Sequence, residues 1–298
     1  MNGQPFRTAA GGRINRAKPL VFTFNGRIYQ GFEGDTLASA LLANGVHLVG
    51  RSFKYHRPRG ILSAGAEEPN ALVQVETGAR TEPNLRATQI ELHEGLTASS
   101  QNCWPSVAFD VSAVNGWFSR LIPAGFYYKT FMWPPKWWKA YEHVIRRAAG
   151  LGIAPSEPDP DHYEHRFDHA DVLVIGGGPT GLMAALAAGR AGVCVPVVEE
   201  QTEWGGALLA GNETIKGKPA ADWVGGVVAE LSTMKEVMML SRTTAAAYYD
   251  HNMVVLAERV TDHQTSSDLN LPRQRLWQVR ANQVVLATGA IERPLVFT

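Results

Sequence analysis

Cysteine is scarce in this sequence, because the 298-residue chain contains only Cys103 and Cys194. The two lie far apart, which excludes a disulfide framework and any four-cysteine cluster or zinc site built from this chain. An excess of charge is also absent, since the formal net charge at pH 7 is zero. Nucleic-acid binding is therefore not expected, because no basic surplus is available to neutralise phosphates.

Long apolar runs are missing as well. No stretch of the sequence reaches the roughly 18 apolar residues of a membrane helix. The N-terminal segment Met1–Arg16 has no apolar core of signal-peptide length. We therefore expect a cytoplasmic protein without a membrane partner. The 298-residue length is sufficient for two domains that each bury a core.

The most informative feature present is a glycine fingerprint in the middle of the chain. The apolar segment Val172–Ile175 leads into Gly176, Gly178 and Gly181 and then into an alanine-rich stretch. This is the strand, loop and helix order of a dinucleotide-binding site. Gly176 permits the tight turn, Gly178 lets backbone N–H groups approach a pyrophosphate, and Gly181 allows the helix to pack closely on the strand. The anion would face a helix N-terminus, which favours negative charge.

An acidic pair follows the next predicted strand. Val193–Val198 is followed by Glu199 and Glu200, and Glu199 lies 23 residues after Gly176, where a ribose-binding carboxylate is expected. Such a carboxylate accepts hydrogen bonds from ribose hydroxyls and repels a 2′-phosphate. NAD or FAD is therefore favoured over NADP.

Two later signals support the fingerprint: a glycine pair that ends at Gly206, and an apolar strand, Val284–Thr288, followed by Gly289. An Ala-Thr-Gly ending of this kind closes the nucleotide domain in two-dinucleotide flavoprotein folds. The predicted cofactor-binding residues are Gly176, Gly178, Pro179, Thr180, Gly181, Glu199, Glu200, Gly206, Thr288 and Gly289.

The N-terminal part of the sequence predicts a small mixed domain. Leu20–Phe24 and Arg27–Gln30 are joined by an Asn-Gly pair, which predicts a type I′ hairpin. Asp35 or Thr36 is expected to cap a helix that runs through Asn44 and stops at Gly45. Further strands are predicted at 46–50 and 71–76, and the whole suggests a β-grasp domain.

A proline-rich and aromatic-rich segment separates this domain from the fingerprint. We interpret the aromatics as cover for a domain or subunit interface, with a membrane-surface belt as the alternative. They are Trp117, Phe118, Phe126, Tyr127, Tyr128, Phe131, Trp133, Trp137 and Trp138. A short helix, Tyr141–Ala149, and a linker, Ile153–Asp161, follow.

Three histidines, His162, His165 and His169, precede the first strand of the nucleotide domain. The spacing of His165 and His169 would suit a metal on a helix. Because a strand is expected to begin at about Asp171, we predict a solvated linker and assign no metal.

The rest of the chain predicts a doubly wound nucleotide domain with a β excursion. A helix is expected at Ala221–Leu231, a parallel strand at Val237–Leu240, and an antiparallel pair at Met253–Val260 and Arg275–Arg280. The domain boundaries are placed at 17–100, 101–168 and 169–298. Since the chain stops at Thr298 without a second half of the fold, we expect a truncated or split piece of a longer polypeptide. The fold class is thus α/β plus α+β.

Several sequence words together resemble one family, the alpha subunit of heterotetrameric sarcosine oxidase, with related opine and amino-acid oxidase subunits. Beside the fingerprint, the matching words are GDTLASALLANGV at 34–46, GRSFKYHRPRG at 50–60, EEPNALV at 67–73, AGLG at 149–152 and VVLATGAIERPL at 284–295. They cover nearly the whole chain in the family's order, and the word at 50–60 is far more specific than a glycine fingerprint.

The resemblance implies a cofactor arrangement. Relatives that carry a 2Fe-2S cluster have cysteines where this chain has Ser63, Glu68 and Ala71, so we expect a ferredoxin-like domain without cluster, acting as a scaffold. NAD that takes no part in redox chemistry, or else FAD, is expected at the fingerprint. FAD is expected on a separate beta subunit and FMN at the boundary between the two subunits.

The resemblance also implies partners and an activity. Beta, gamma and delta subunits are expected, and the assembled enzyme would demethylate sarcosine to glycine, formaldehyde and hydrogen peroxide, largely on the partner flavin subunit. The catalytic residues stay unknown, and the isolated fragment is expected to be inactive. Two alternatives are a subunit of an FAD-dependent dehydrogenase of an opine, hydroxyproline or another secondary amine, and a non-catalytic assembly fragment. Arg57 and Arg59 are either phosphate contacts or satisfied surface groups.

Overall fold

The computed structural model describes residues 4–123, 125, 133–148, 150, 152–264 and 270–291. The chain divides into two compact units, 1–160 and 161–298. The helices are α1 (Leu37–Ala43), α2 (Trp138–Ala148), α3 (Pro179–Arg190) and α4 (Ala220–Thr233).

Fifteen strands are present in the described residues. Those of the first unit are β1 (Asn15–Phe24), β2 (Arg27–Glu33), β3 (Gly50–Arg51), β4 (Pro58–Arg59), β5 (Leu72–Val75), β6 (Glu82–Arg86) and β7 (Thr97–Ser100). Those of the second are β8 (Tyr163–Ile175), β9 (Val195–Val198), β10 (Thr214–Ile215), β11 (Lys218–Pro219), β12 (Val237–Leu240), β13 (Thr243–Tyr249), β14 (Met253–Arg259) and β15 (Gln274–Leu286).

The first unit is built on a five-stranded sheet in the order β2-β1-β7-β5-β6. β1 and β2 form the predicted hairpin, with positive φ angles of 50° at Asn25 and 74° at Gly26, as a type I′ turn requires. Helix α1 is capped by Thr36, whose hydroxyl accepts the Ser39 N–H while the Ser39 hydroxyl accepts the Thr36 N–H. Apolar side chains of the helix and sheet, including Phe22 and Leu41, form one buried core.

One strand prediction in this unit is wrong. Of the expected strand at 46–50, only Gly50 lies in a strand, β3, which pairs with Pro58–Arg59. The start of the expected strand is drawn into the end of α1, because the Val46 N–H donates to the Leu41 carbonyl at 2.9 Å. The Val46 N–H that a longer strand would have used for pairing is therefore taken by the C-terminal end of the helix.

The second unit is built on a six-stranded sheet in the order β12-β9-β8-β15-β14-β13. The first four strands run parallel, and β14 and β13 are antiparallel additions. Helices α3 and α4 both pack on one face, where Leu182 and Val227 meet Val174 and Val197. The buried cluster on the opposite face, around Trp277, consists of strand residues. Helices on both faces, as a doubly wound sheet would have, are thus not found in the described part of this unit.

The histidine-rich linker prediction is also wrong. β8 begins at Tyr163 and pairs with β15 in parallel from Tyr163 to Ile175, so His165 and His169 lie on a strand. The charged side chains at alternate positions of β8 contact the neighbouring strand β15. Glu164 forms an ion pair with Arg275 at 2.6 Å, and Arg166 stacks over the Trp277 ring. No group of three or more His, Cys, Asp or Glu side chains in the described residues is placed to hold a metal.

Two further differences concern the late strands and the aromatic segment. β13 was not expected, and the two strands predicted at 275–280 and 284–288 form one strand, β15. Trp117, Phe118, Trp133, Trp137 and Trp138 are exposed, while Phe126, Tyr127, Tyr128, Phe131 and the chain end at 292–298 lie outside the described residues. Within the residues described, no helix is long and apolar enough to cross a membrane.

Candidate nucleotide-binding site

Two of the fingerprint glycines are required by the fold itself. Gly176 leaves β8 with φ +111°, and a Cβ atom there would overlap the carbonyl oxygen of Ala287. A Cβ atom on Gly181 would overlap the carbonyl oxygen of Gly176. Only glycine allows the strand, the turn and the first turn of α3 to approach this closely.

Gly178 is different, because nothing in the protein backbone demands glycine there. Its φ of −73° and ψ of −178° are open to any residue. The atom nearest to a Cβ at this position is the Cα of Gly206, at 4.0 Å. The position therefore faces open space at the point where the chain enters the helix.

The helix behind this space has an N-terminus without a side-chain cap. Gly178 is the N-cap residue and offers no side chain, and Pro179 occupies the first turn. Thr180, next along, is exposed. The N–H groups and the positive end of the helix dipole make this a favourable location for an anion.

Glu199 lies beside the glycine turn, and hydrogen bonds hold both its backbone and its carboxylate. Its backbone N–H donates to Leu240 at 2.9 Å and its carbonyl accepts from Thr243 at 2.8 Å. The buried carboxylate accepts the Gly177 N–H at 2.7 Å and the Gln201 N–H at 2.9 Å. Each carboxylate oxygen has a second lone pair for a ligand hydroxyl.

Glu200 does not share this location. Its side chain accepts a hydrogen bond from the Gln201 amide at 3.3 Å, and its carbonyl accepts from Arg259 at 2.9 Å. The structure thus separates the two acids that the sequence places side by side.

The glycine pair after β9 closes against the fingerprint turn. The Gly205 N–H donates to the Gly177 carbonyl at 2.8 Å, and a Cβ atom on Gly206 would lie 2.9 Å from the Cα of Gly178. A Cβ atom on Gly177 would lie 2.5 Å from the Trp204 ring. The site therefore also includes Gly205, the first residue of the predicted glycine pair, and two residues that were not predicted, Gly177 and Trp204. The signal for Trp204 was its position directly before the glycine pair.

The last predicted residues lie next to the turn through their backbone. The Thr288 nitrogen would be 3.2 Å from a Cβ on Gly176, and the Ala287 N–H donates to the Ile175 carbonyl at 2.8 Å. Gly289 is exposed, with φ +72°. The ends of β8, β9 and β15 thus converge on one edge of the parallel sheet, where ligands of such folds bind.

Neither cysteine has the lowered pKa of a reactive thiol. Burial, and then the nearby Asp168, raises the pKa of the Cys194 thiol. Burial, and then Asp110, raises the pKa of the Cys103 thiol against the opposing effect of Arg51. Both thiols are therefore held in the protonated, weakly nucleophilic form at neutral pH.

Comparison with known families gives each unit a class. Residues 17–103 match the family described as a 2Fe-2S iron-sulfur cluster binding domain, and residues 171–279 match the FAD dependent oxidoreductase family. The fold and the site therefore define a ferredoxin-type domain followed by a Rossmann-like domain of the FAD-dependent oxidoreductases.

Individual relatives are more specific. The chain is 60% identical over 293 residues to the sarcosine oxidase subunit alpha of Rhizobium meliloti (strain 1021), covering 98% of this chain and 30% of the relative. It is 39% identical over 298 residues to that of Corynebacterium sp. (strain P-1), covering 98% and 26%. The chain is a homologue of the N-terminal portion of sarcosine oxidase alpha subunits, and it spans less than a third of the length of these relatives.

One solved structure shares the fold over most of the chain. L-proline dehydrogenase from P. horikoshii superposes with a TM-score of 0.57 and 20% identity, covering 95% of this chain and 43% of that one. At this identity the likeness concerns the fold alone.

The comparisons correct the cofactor prediction. The first domain belongs with 2Fe-2S cluster-binding domains, against the expected assignment to a domain without cluster. The second belongs with FAD-dependent oxidoreductases, so of the two cofactors expected at the fingerprint, NAD and FAD, the family favours FAD over the preferred NAD. The prediction rested on three loop positions, Ser63, Glu68 and Ala71, and on the carboxylate of Glu199, whereas the family match rests on the pattern of a whole domain.

The donor set of this chain does not fit a cluster with four thiolate ligands. The matched segment contains one cysteine, Cys103. In the loop at 62–71 the buried carboxylate of Glu68 accepts backbone N–H groups of Leu62, Ser63 and Asn70 at 2.7 Å and of Ala71 at 3.2 Å. We therefore assign no electron-transfer step to this domain.

Proposed function

We propose that the second unit binds FAD, with its pyrophosphate at the N-terminus of α3 and its ribose at Glu199. The open space at Gly178 carries the proposal. Glycines 176 and 181 are explained by contacts within the protein, whereas a glycine at 178 is explained by a ligand that comes close to the backbone.

Each contact has a defined chemical task. Backbone N–H groups at the start of α3 neutralise the pyrophosphate, and Gly206 leaves room for it beside Gly178. The Glu199 carboxylate, held by Gly177 and Gln201, accepts the ribose hydroxyls. Pro179, Thr180, Thr288 and Gly289 border the ligand. When bound, FAD supplies the two-electron redox chemistry that protein side chains lack.

At the level of the whole protein, we propose a subunit of a sarcosine oxidase that acts with a flavin-bearing beta subunit and with gamma and delta subunits. The reaction would consume sarcosine, water and oxygen and release glycine, formaldehyde and hydrogen peroxide. Support comes from 60% identity to an alpha subunit of that name along 98% of this chain. We assign this chain the role of binding a nucleotide and place the oxidation of the amine on the partner.

FAD titration of Gly178 variants tests the binding site. Gly178→Ala and Gly178→Glu should fold normally, because the position is unstrained and open. We expect Gly178→Ala to weaken FAD binding at least about tenfold, as expected for loss of charge-assisted hydrogen bonds, and Gly178→Glu to abolish it.

Gly226→Ala is the matched control, since Gly226 lies on α4 with no atom within 4 Å of a Cβ. It should leave FAD affinity unchanged. Undiminished FAD binding by Gly178→Glu would refute the site.

The activity of the whole protein is tested on the assembled complex. It should release hydrogen peroxide from sarcosine, and oxidation of an amine without peroxide would favour a dehydrogenase instead.

A further inference from the structure

A polar cavity lies in the first unit beside the short hairpin of β3 and β4. Its volume is about 120 Å³. This is well below the roughly 300 Å³ at which pockets begin to hold drug-sized molecules, so the cavity admits a small group and not a whole nucleotide. It is lined by Arg51, Ser52, Phe53, Arg59, Pro69, Asn70, Leu72, Gln101 and Asn102.

The hairpin that forms one wall is strongly basic. Residues 50–60 contain Arg51, Lys54, Arg57 and Arg59 and no acidic residue. The hydrogen bonds of the Arg51 guanidinium go to three carbonyl oxygens, those of Val107, His56 and Ala108, at 2.8, 3.0 and 3.2 Å. Carbonyls satisfy its donors without cancelling its charge, so this cation keeps its attraction for an anion.

Arg59 is the cationic residue of the cavity wall whose guanidinium has no partner within the described part of the protein. It is half-buried in the cavity wall, and the described residues provide its guanidinium with no hydrogen bond or ion pair. The side-chain amide of Asn70 is in the same situation, although its backbone N–H donates to Glu68 at 2.7 Å. The Ser52 hydroxyl accepts the Arg57 N–H at 3.0 Å, which leaves its own proton to donate.

The other polar side chains of the cavity wall already have hydrogen-bond partners within the protein. Gln101 both accepts from and donates to Asn84, each at 2.8 Å. Asn102 donates to the carbonyls of Arg51 and Ser52. Glu68, which precedes the wall residues Pro69 and Asn70, uses its carboxylate on backbone N–H groups.

We propose that this cavity binds a phosphate group, held by the planar guanidinium of Arg59 with the Asn70 amide and the Ser52 hydroxyl. A guanidinium matches phosphate in geometry and charge. Phe53, 45% exposed on the cavity wall, offers a ring face to an aromatic group attached to that phosphate. The ligand class is therefore an aromatic phosphate monoester, with free phosphate as the second source of the same anion.

Arg57 supplies a matched control two residues away. It is exposed and stacks over the Tyr55 ring at 4.9 Å, outside the cavity wall. Arg57→Gln and Arg59→Gln remove the same charge from the same hairpin, but only Arg59→Gln removes a proposed ligand contact.

The test is calorimetric titration of the full chain with inorganic phosphate and with phenyl phosphate. Arg59→Gln should weaken phenyl phosphate binding at least about tenfold, and Arg57→Gln less than about twofold. Asn70→Asp, which places a carboxylate in the cavity at constant size, should abolish binding and serves as a second probe if Arg59→Gln folds poorly.

Tighter binding of phenyl phosphate than of phosphate, lost in Phe53→Ala, identifies a monoester site. Equal affinities identify a free-phosphate site, which also supports the cavity. The proposal is overturned if the wild-type chain binds neither probe at millimolar concentration, if both arginine variants weaken binding equally, or if Asn70→Asp binds normally. FAD titration of the same variants should be unaffected, so the outcome is independent of the site at Gly178.

Discussion

Two loops of this protein, one in each unit, differ in what is offered to their backbone N–H groups as an acceptor. The loop at 62–71 directs four N–H groups to the protein's own carboxylate, Glu68. The loop at 176–181 leaves the N-terminus of α3 uncapped and the space at Gly178 open. Backbone donors are therefore structural where an internal carboxylate accepts them, as Glu68 does in the first loop and Glu199 does for Gly177, and available for a ligand where Gly178 leaves the helix N-terminus open.

The electrostatics of Glu68 show how strongly the first loop is closed. Burial acts to raise the pKa of this carboxyl, but hydrogen bonds from the N–H groups of Ser63, Asn70, Leu62 and Ala71 outweigh burial and lower it. The ionised form is therefore the one that the folded loop selects.

The largest effect is expected from Glu68→Ala. Removal of the carboxylate leaves several buried N–H groups without an acceptor, each at a cost of about 1–3 kcal/mol. Since water reaches part of the loop, we expect a total of about 3 kcal/mol, or roughly 9 °C in the melting temperature of the first unit. Scanning calorimetry on the full chain measures it.

Glu67→Ala is the neighbouring control, because Glu67 is less buried and its hydrogen bonds from the N–H groups of Ala64 and Gly65 are longer, at 3.3 and 3.2 Å. It should cost clearly less. Equal losses in the two variants would show that the loop is not organised around Glu68, and the contrast between the two loops would fail.

Acidification should remove part of the same stabilisation. Because the pKa of Glu68 is lowered in the folded chain from 4.5, its contribution is complete above that value and declines as pH falls below it. We expect the difference in unfolding free energy between wild type and Glu68→Ala to shrink as pH falls below about 4.5. Urea denaturation at several pH values measures this; a difference that stays constant into acid would contradict the assignment.

The contrast also explains what the sequence alone could reveal. The hairpin at Asn25 and Gly26, the cap at Thr36 and the turn at Gly176 were predictable because each is a local backbone requirement written in neighbouring residues. The first half of β8 was not, since its polar residues are held extended by pairing with β15, more than 100 residues away in the chain.

The same reasoning applies to the candidate site. The spacing of Gly176, Gly178 and Gly181 locates the turn, and the reason for Gly181, its approach to the Gly176 carbonyl, is local. The reasons for Gly176 and Gly178 depend on Ala287 and Gly206, which come from other parts of the chain. The role of Glu68 was missed because its four backbone hydrogen bonds depend on how the loop at 62–71 closes on itself. Residue type at one position does not report the direction of surrounding N–H groups.

A smaller effect is expected at the closed helix N-terminus of the first unit. Thr36→Ala removes the hydroxyl that accepts the Ser39 N–H at 3.2 Å, which should cost about 1 kcal/mol. Thr77→Ala is the control, since Thr77 precedes the short helix Gly78–Arg80 without a side-chain cap, and it should cost nearly nothing. Calorimetry distinguishes the two, and equal costs would show that the Thr36 side chain does not stabilise α1 as a cap.

The smallest effect on stability, and the sharpest test of the contrast, is expected from Gly178→Ser. Serine at the N-cap of α3 can supply the acceptor that glycine lacks, so the second unit should gain a few tenths of a kcal/mol. The same hydroxyl occupies the space proposed for the pyrophosphate, so FAD affinity should fall at least about tenfold. Stability and binding would then move in opposite directions at one residue, because the donors can serve either the fold or the ligand. A serine variant that kept full FAD affinity would show that the opening at Gly178 is not where the ligand's anion lies.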